Sequence, residues 1–399
     1  MFETLNALPP DPILGLTTAF KADDSPKKVD LGVGVFKNDD NETPIMRAVK
    51  AAERTIVETQ TTKAYAPPIG VDGFGAGILS LVLGNGHSAI EDGRATAIQN
   101  PGGCGALHVA ARLIMAAHKD ATVWVSDPTW ANHRPLLKNA GVPIRDYPYF
   151  DYDSCTVRFD AMMETLKSET RTGDLVLLHG CCHNPTGADL TDDQWRQLAD
   201  LMNEKGLVPF IDLAYQGFGR GVDADAFGVR LMAESVPELL VTVSGSKNFG
   251  LYRERVGSLI VIGETKARTD IAVSHALSIA RGIYSMPPAH GATIASTILN
   301  DEALRADWLD ELNTMRERIQ GLRDMFADSM KAAGVPQDFS FVKSHKGMFS
   351  FLGLTKDQVR AIRAEGSIYM TDTSRINVTG VNRGNIDHIV ASFKAVLAG

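Results

Sequence analysis

The sequence predicts an α/β protein with two domains, the larger one built on a mostly parallel sheet covered by helices. A strand–helix–strand pattern is the main observation: apolar runs at residues 174–179 and 207–212 flank a helix that begins after Thr191 and ends at Gly206. Such a crossover joins parallel strands and lays its helix on the sheet. The second observation is length, because 399 residues are too many for one small core.

Composition excludes several classes of protein. A hydrophobic content of 44% and a charged content of 22% are ordinary for a globular enzyme, and a net charge of −8 argues against a nucleic-acid or anionic-membrane surface. No apolar run approaches the roughly 20 residues of a membrane span, and the N-terminus lacks the basic and apolar regions of a signal peptide. The four cysteines show no disulfide-scaffold spacing, so we expect reduced thiols and a cytoplasmic location.

The N-terminal part predicts an arm, a strand and a helix. Residues 1–12 are proline-rich and predict an extended arm. Residues 29–36 predict a strand that enters a G-x-G turn, which is only half of a dinucleotide fingerprint. The helix predicted at residues 44–58 has an apolar stripe formed by Ile45, Val49, Ala52 and Ile56.

Two segments carry residue types that suit a phosphate. Residues 100–107 run from glycines directly into an amphipathic helix, and the backbone N–H groups at such a helix start bind anions. A loop at residues 244–257 lies between two apolar runs that predict strands. Its Ser244, Ser246 and Arg255 could also hold a phosphate, since arginine matches phosphate oxygens with two parallel hydrogen bonds.

Lys247 lies in that second loop among small residues, which let a flat ligand approach the backbone. A lysine beside a phosphate anchor suggests a Schiff base to pyridoxal phosphate, whereas an ordinary solvated lysine is the alternative. Asn184, Asp212 and Lys247 all follow predicted strands, and ligands of such sheets bind at the carboxyl ends of strands, which favours the cofactor. Trp130 follows another strand, at residues 122–126, and could stack on a flat ring.

Asp212 and Tyr215 have the chemistry to tune such a ring. Asp212 closes an apolar strand, and a buried carboxylate there would keep the ring nitrogen protonated. A protonated ring accepts the electrons released from the α-carbon of a substrate. Tyr215 follows three residues later and could hydrogen-bond the ring hydroxyl.

Zinc is the rival interpretation of the segment that precedes Asn184. All four candidate ligands there are zinc-competent: His179, Cys181, Cys182 and His183. Neighbouring side chains near the end of an extended strand point to opposite faces, so these four do not easily surround one ion. We therefore expect no metal.

The C-terminal part predicts one long helix followed by mixed strands and helices. From Asp307 the apolar residues step by four and three, which is typical of an amphipathic helix that can bridge two domains. The later elements are predicted as strands at residues 347–354, 367–370 and 375–379 and a final helix from Ile386.

The loop S-x-S-K-N-F-G-L-Y-x-E-R-V-G at residues 244–257 resembles the cofactor-lysine segment of the class I aspartate and aromatic amino acid aminotransferases. The likeness runs from near Leu5 to the C-terminus. It implies the fold-type I architecture of pyridoxal-phosphate enzymes and ping-pong transfer of amino groups to 2-oxoglutarate. It also implies a large cofactor-binding domain at residues 44–311, a small domain built from 13–43 and 312–399, and the arm at 1–12.

The resemblance further implies roles for single residues. Arg375 would clamp the α-carboxylate of the substrate, and Gly34 would line that side of the site. Arg281, expected in a loop, would bind the distal carboxylate from across a homodimer, and Tyr65 would cross the same interface to the cofactor phosphate. Substrate contacts are also expected at Trp130 and Asn184. The expected cofactor contacts are Tyr65, Gly102, Gly103, Cys104, Trp130, Asn184, Asp212, Tyr215, Ser244, Ser246, Lys247 and Arg255, and the expected catalytic residues are Lys247, Asp212 and Tyr215.

Two sets of residues predict different substrates. The first set resembles the aspartate-preferring members of the family: Val35, Lys37 and Thr43. The second set is less polar than the residues usual there and would admit aromatic side chains: Ala64, Cys104 and Met286. We therefore expect dual use of aspartate or glutamate and of aromatic amino acids. At Cys104 the family commonly has a hydroxyl residue, and a thiol donates only weakly.

Two rival functions remain, and a third agrees less well with the sequence. A decarboxylase or lyase of the same fold would not need Arg281. A non-catalytic sensor module would come with a DNA-binding domain, for which the chain has neither spare length nor a basic face. A nicotinamide oxidoreductase would need a complete G-x-G-x-x-G between a strand and a helix, and the chain has none so placed.

Overall fold

A seven-stranded sheet lies at the centre of the computed structural model, which describes residues 2–7 and 12–398. In chain order the described strands are β1 (Val29–Asp30), β2 (Ala95–Pro101), β3 (Val123–Asp127), β4 (Ile144–Pro148), β5 (Phe150–Asp151), β6 (Thr156–Val157), β7 (Leu175–His179), β8 (Val208–Leu213), β9 (Leu239–Ser244), β10 (Val256–Ile262), β11 (Phe349–Phe351), β12 (Ile368–Tyr369) and β13 (Arg375–Asn377).

Helices cover this sheet and make up much of the remaining described chain. They are α1 (Pro12–Ala22), α2 (Arg47–Thr59), α3 (Phe74–Leu83), α4 (Ser88–Glu91), α5 (Gly102–Ala117), α6 (His133–Asn139), α7 (Phe159–Glu169), α8 (Asp192–Lys205), α9 (Val222–Asp225), α10 (Phe227–Ser235), α11 (Lys266–Tyr284), α12 (Ala289–Asn300), α13 (Glu302–Ala332), α14 (Lys356–Gly366) and α15 (Ile386–Ala398). Short 3-10 helices form at Phe2–Thr4, Ser340–Lys343 and Val378–Gly380.

The central strands follow the order β2-β10-β9-β8-β7-β3-β4. Strand β10 runs antiparallel to both of its neighbours, and the other pairs are parallel. The predicted α/β fold with a mostly parallel sheet is confirmed. Because β2, β3, β7, β8 and β9 share one direction, their carboxyl ends meet at a single edge, where β10 begins.

Both faces of the sheet are buried. Leu175 and Leu177 pack in one apolar cluster with residues of α5 and α11, whereas Val176 and Leu178 belong to the larger cluster on the opposite face. Alternate side chains of a strand point to opposite faces, so burial on both sides requires an unbroken apolar run. The apolar runs that predicted these strands therefore reflect their position between two helical layers.

Helix α8 confirms its predicted limits. The Thr191 hydroxyl accepts a hydrogen bond from the backbone N–H of Gln194, whose side chain in turn accepts from the N–H of Thr191. This reciprocal pair satisfies two N–H groups that have no partner inside the helix. At the other end, Gly206 has a φ of 64°, a left-handed conformation that glycine adopts without a steric penalty.

The limits of two other helices differ from the prediction. Helix α2 begins at Arg47 instead of residue 44, so Ile45 precedes it and is 58% exposed, while Val49, Ala52 and Ile56 are buried as expected. Placing Ile45 on the buried stripe was wrong. Helix α13 begins earlier than Asp307, since the Asp301 carboxylate accepts the N–H of Leu304 at 2.8 Å and caps the helix there.

The two ends of the chain pair with each other. Strand β1 runs parallel to β12, with Val29 opposite Ile368, and β11 runs antiparallel to β13. The predicted boundaries of a small and a large domain stay a prediction. Part of the predicted arm, residues 1 and 8–11, lies outside the described residues. No helix of the described chain is long and apolar enough to cross a membrane.

Candidate active site

A cavity of about 230 Å³ opens at the carboxyl edge of the sheet. The ends of three strands position its walls. Asn184 follows β7, Asp212 is the second-to-last residue of β8, and Lys247 follows β9. Most of the predicted site residues line it, namely Gly34, Gly103, Cys104, Trp130, Asn184, Asp212, Tyr215, Ser244, Ser246, Lys247 and Arg255. The convergence expected from the sequence is therefore present.

One end of the cavity is suited to an anion. Helix α5 begins there with Gly102, at a φ of 73°, and a Cβ on this residue would lie only 2.3 Å from Nη2 of Arg255. A Cβ on Gly257 would lie 2.3 Å from the carbonyl carbon of Gly102. Glycine at both positions lets β10 and its arginine approach the helix start. The positive end of the helix, a guanidinium and the buried Ser244 and Ser246 together form a phosphate-sized cradle.

Asp212 also lines the cavity. Its Oδ2 lies 3.1 Å from Nε2 of His133, and its Oδ1 accepts a hydrogen bond from the Thr242 hydroxyl at 3.3 Å. Burial by itself raises the pKa of Asp212, but the hydrogen bond to His133 and the nearby imidazoles and Lys247 outweigh it and lower this pKa. The carboxylate is therefore ionised at neutral pH and can hold a positive charge beside it.

A chain of hydrogen-bonded side chains continues from Asp212, and the sequence did not indicate it. Nδ1 of His133 lies 2.8 Å from the Thr129 hydroxyl, which lies 3.2 Å from Nε2 of His179. Burial lowers the pKa of His179 to about 3, so that ring stays neutral. Thr129 and His133 lie on either side of Trp130, in the segment that follows β3. Both residues follow β3 within six positions, and this was the available signal, because the site is built from residues that follow the strands at this edge.

Lys247 projects into the cavity with its Nζ 4.8 Å from the centre of the Tyr215 ring. Burial and, to a smaller extent, Arg255 lower the pKa of Lys247, while Asp212 and Cys104 act to raise it. A lowered pKa favours the free amine, which is the nucleophilic form. The loop that carries Lys247 is anchored by a hydrogen bond, since Nε1 of Trp308 donates to the carbonyl of Asn248 at 2.7 Å.

Arg375 lies near the cavity and has spare hydrogen-bonding capacity. It is 6% exposed, its Nη2 donates to the carbonyl of Gly32 at 2.9 Å, and its Nη1 contacts Oδ1 of Asn184 at 3.5 Å. Its Nε is buried with no partner in the described structure. The ring of Phe349 lies 4.4 Å from the guanidinium carbon. Such an arginine, with no acidic neighbour among the described ion pairs, is suited to bind a carboxylate.

Tyr65 and Arg281 do not reach this cavity within one chain. Tyr65 is 92% exposed and lies in a loop, as predicted. Arg281 is also exposed, but it belongs to the last turn of α11, so its predicted place in a loop was wrong. The apolar spacing of α11 is weak because much of it faces solvent, and the helix was therefore missed.

The zinc interpretation does not agree with the geometry. His183 is engaged by two hydroxyls, Ser126 at 3.1 Å and Thr186 at 2.9 Å, and its ring stacks on Tyr149. The cysteines lie instead near Asp225, with ligand atoms within 4.8 Å of one another. The Asp225 carboxylate already accepts three backbone N–H groups, from residues 217, 219 and 220. The histidines and cysteines thus serve separate local networks.

The residues present fit pyridoxal phosphate. The glycine-lined helix start and Arg255 suit its phosphate, and the ionised Asp212 suits a protonated ring nitrogen. Trp130 offers a flat surface in the same cavity, and Lys247 offers an amine. The unpartnered Nε of Arg375 leaves a donor for a substrate carboxylate.

Comparison with known proteins agrees with this geometry. The model of the family "Aminotransferase class I and II" matches residues 26–393. The chain belongs to the class I and II aminotransferases. The predicted family, fold, aminotransferase activity and cofactor are thereby confirmed.

Three relatives illustrate how much of this aminotransferase is shared. The aspartate aminotransferase of Escherichia coli (strain K12) is 45% identical over 397 residues, which is 100% of each chain. The aromatic-amino-acid aminotransferase of Paracoccus denitrificans is 45% identical over 386 residues, or 97% of each chain. The structure of an aromatic-amino-acid aminotransferase from Burkholderia pseudomallei, covalently bound to pyridoxal phosphate, has a TM-score of 0.97 and 42% identity, and covers 100% of this chain and 99% of that one.

Proposed function

We propose that the protein moves amino groups from aspartate, glutamate and the aromatic amino acids phenylalanine and tyrosine to 2-oxoglutarate. Lys247 holds pyridoxal phosphate covalently, and the bound cofactor supplies an electron-accepting ring for the substrate's α-carbon. The observation that carries the proposal is the meeting of Lys247, Asp212 and the anion cradle in one cavity. A 42%-identical relative carries the cofactor covalently, which supports the same use of the site here.

Most side chains of the site hold a charge or a proton in place, and Lys247 moves a proton. Asp212 stays ionised and keeps a positive charge at the ring nitrogen, while Thr129, His133 and Thr242 fix its orientation. With the cofactor bound, the free Lys247 amine would move a proton from the α-carbon of the substrate to a carbon of the cofactor. Burial raises the pKa of Tyr215, so its hydroxyl stays protonated and can donate to the ring oxygen.

Substrate carboxylates are assigned to two arginines. Arg375 binds the α-carboxylate with its free Nε and the adjacent Asn184. Arg281 binds the distal carboxylate of aspartate or glutamate from the second subunit of a homodimer, and Tyr65 reaches the cofactor phosphate by the same route. The exposure of both side chains on one chain supports this assignment, because neither lines the cavity of its own chain. A cytoplasmic location is also proposed, and the four free cysteines support it.

Absorption spectroscopy tests the core of the proposal. Purified protein should show the visible band of a lysine-bound cofactor, and glutamate should convert it to the band of the amine form. In a separate sample without glutamate, borohydride should reduce the imine and attach the cofactor at residue 247, as peptide mass mapping would show. A Lys247→Ala variant that transaminates at the wild-type rate, or a protein without a visible band, would contradict the proposal.

Steady-state kinetics tests the substrate range. We expect aspartate, phenylalanine and tyrosine all to be used. Ala64, Cys104 and Met286 are less polar than the residues usual at these positions of the family and would admit aromatic side chains. An aromatic rate near background would restrict the protein to dicarboxylic substrates. Arg281→Ala should raise KM for aspartate and leave KM for phenylalanine nearly unchanged. Unchanged aspartate turnover in that variant would instead favour a different reaction of the same fold.

A further inference from the structure

Arg323 is a fully buried arginine of α13 whose charge has no acidic partner among the described ion pairs. Its guanidinium donates instead to the short segment 342–350. The acceptors are the carbonyl oxygens of Val342 (3.1 Å), Lys346 (3.2 Å), Gly347 (2.5 Å) and Phe349 (2.7 Å) and the hydroxyl of Ser350 (2.6 Å). One side chain therefore holds five residues of this segment in place through hydrogen bonds.

Burying an unpaired guanidinium is costly unless all its N–H groups find acceptors. A lysine has three donors around one atom and lacks the planar spread needed for acceptors separated along a turn. His345 adds to the same network, since its Nδ1 lies 3.1 Å from the Ser350 hydroxyl and its Nε2 lies 2.8 Å from the carbonyl of Cys155. All of these bonds are buried except the partly buried one to Lys346, so water competes little for the donors and acceptors.

The segment held by Arg323 reaches the substrate side of the cavity through Phe349. The centre of the Phe349 ring lies 4.4 Å from the guanidinium carbon of Arg375 and 6.0 Å from the centre of the Tyr215 ring, in an edge-to-face arrangement. Strand β11 also pairs with β13, so Phe349 lies opposite Asn377 and Phe351 opposite Arg375. A shift of residues 342–350 would therefore move Arg375 directly.

The same segment also locks the turn that carries Asn184. The N–H of Lys346 donates to the carbonyl of Gly187 at 2.7 Å. A Cβ on Gly187 would lie 2.2 Å from the carbonyl oxygen of Phe349, the oxygen that accepts Nη2 of Arg323. Asn184 contacts both Arg375 and the Tyr215 hydroxyl. Residues 342–350 thus form the contact between the Asn184 turn and the Arg375 strand.

We propose that Arg323 is a positioning residue for the substrate carboxylate. It fixes residues 342–350, and through Phe349 and the turn before Gly187 it sets the relative position of Arg375 and Asn184. The inference rests on the proposed role of Arg375 in binding the α-carboxylate. Arg323 itself contacts neither the cavity nor Lys247.

Kinetics and ligand binding of Arg323→Met test this inference. We expect KM for both the amino acid and the oxo acid to rise roughly tenfold, because small displacements of a carboxylate clamp weaken binding strongly. The value of kcat should change little, since the clamp contacts ground state and transition state alike. Calorimetry with succinate, an unreactive dicarboxylate, should show a matching loss of affinity. The visible cofactor band should be unchanged, since Lys247 and Asp212 are held by the sheet.

Two controls make the result decisive. Arg316→Met removes another arginine of α13, one that bonds to Asn313 on its own helix, and should behave like the wild type. Arg375→Lys should lose most succinate affinity, and wild-type affinity in that variant would overturn the proposed function together with the inference. If Arg375→Lys weakens binding while Arg323→Met does not, the inference alone is overturned.

A second variant covers the case in which Arg323→Met does not fold. Phe349→Leu removes the ring beside Arg375 but keeps the buttressed backbone. We expect its succinate affinity to fall and its cofactor band to persist. Wild-type succinate affinity in Phe349→Leu would overturn the inference regardless of the behaviour of Arg323→Met.

Discussion

At the scale of single residues, Cys104 sets this chain apart from the usual pattern at the proposed phosphate cradle. Its thiol lies in the cavity at the start of α5, and its described hydrogen bond is a 3.8 Å contact from Nδ2 of Asn132. A sulfhydryl is a weak donor, so the cradle depends on backbone N–H groups and on Arg255.

Replacing Cys104 by serine should tighten cofactor binding. A hydroxyl donating to a phosphate adds one charge-assisted bond, worth about 1–2 kcal/mol, or roughly tenfold in affinity. Titration of the cofactor-free protein with pyridoxal phosphate, followed by fluorescence, would measure the change. Cys104→Ala serves as the control and should stay within about twofold of the wild type, since the thiol donates little. Equal affinities for the serine and wild-type proteins would contradict the prediction.

Residues at strand ends were predictable from the sequence, and residues of buried polar networks were not. Asn184, Asp212 and Lys247 each follow an apolar run, and the rule that ligands bind at the carboxyl ends of parallel strands brings them together. His179 and Arg323 reach their partners across 19 to 50 positions of sequence, and hydrophobic periodicity carries no information on such pairs. In addition, a charged residue that is buried in the fold cannot be distinguished by residue type from one that is exposed.

At the scale of elements, the close approach of β10 to the start of α5 shapes the anion cradle. Gly257 makes this contact, and a Cβ there would lie 2.3 Å from the carbonyl carbon of Gly102. The sequence indicated the strand and the helix but not their separation, because a glycine with an ordinary φ looks the same in an open loop.

Gly257→Ala should separate β10 from α5 and weaken cofactor binding by about tenfold or more, since overpacking against backbone costs about 1–3 kcal/mol. The same fluorescence titration would measure it, together with the melting temperature. Gly321→Ala in α13 is the matched control, because nothing lies within 4 Å of its added Cβ. That control should stabilise the protein by up to about 1 kcal/mol. Wild-type affinity in Gly257→Ala would show that the cradle tolerates the shift.

His345 makes the stability of the segment 342–350 depend on pH. Burial and, less strongly, Arg323 and Lys346 lower its pKa to about 4, against the opposing effect of its bond to Cys155. The unfolded chain, with a histidine pKa of about 6.5, therefore binds the proton first. Stability is complete above pH of about 6.5 and is lost as the pH falls toward the folded-state pKa.

Urea unfolding at pH 7 and pH 5 would test this dependence. From the two pKa values, the wild type should lose about 2 kcal/mol more between these pH values than His345→Gln, whose amide does not titrate. Parallel pH profiles for the two proteins would contradict the prediction.

At the scale of the whole molecule, the proposed homodimer would complete the site. Lys247 lines the cavity of one chain and Arg375 contacts Asn184 in its wall, while Tyr65 and Arg281 are exposed and do not line it. The sequence alone pointed to this division only through the family resemblance. An exposed tyrosine in a loop has no spacing or charge pattern that distinguishes an interface from free surface.

A hybrid dimer tests the division of residues between subunits. Lys247→Ala and Arg281→Ala chains with different tags should each be poor with aspartate. In their hybrid, one site has an intact Lys247 and receives an intact Arg281 from the other chain, so about half of the wild-type aspartate turnover per dimer should return. A hybrid of two Lys247→Ala chains is the control and should remain inactive. Failure of the mixed hybrid to regain turnover would place both residues in the same subunit's site.

The hydrogen bonds of Arg323 also influence which residues of the segment 342–350 can be substituted. Four of its five acceptors are main-chain oxygens, which every amino acid provides. Side chains at positions 342 and 346 could therefore be exchanged over generations without loss of the bonds to Arg323. Gly347 is the exception, since its φ is 74° and an added Cβ would lie 2.4 Å from Cβ of Cys182. A randomised library of this segment should accordingly recover active clones with varied residues at 346 but only glycine at 347.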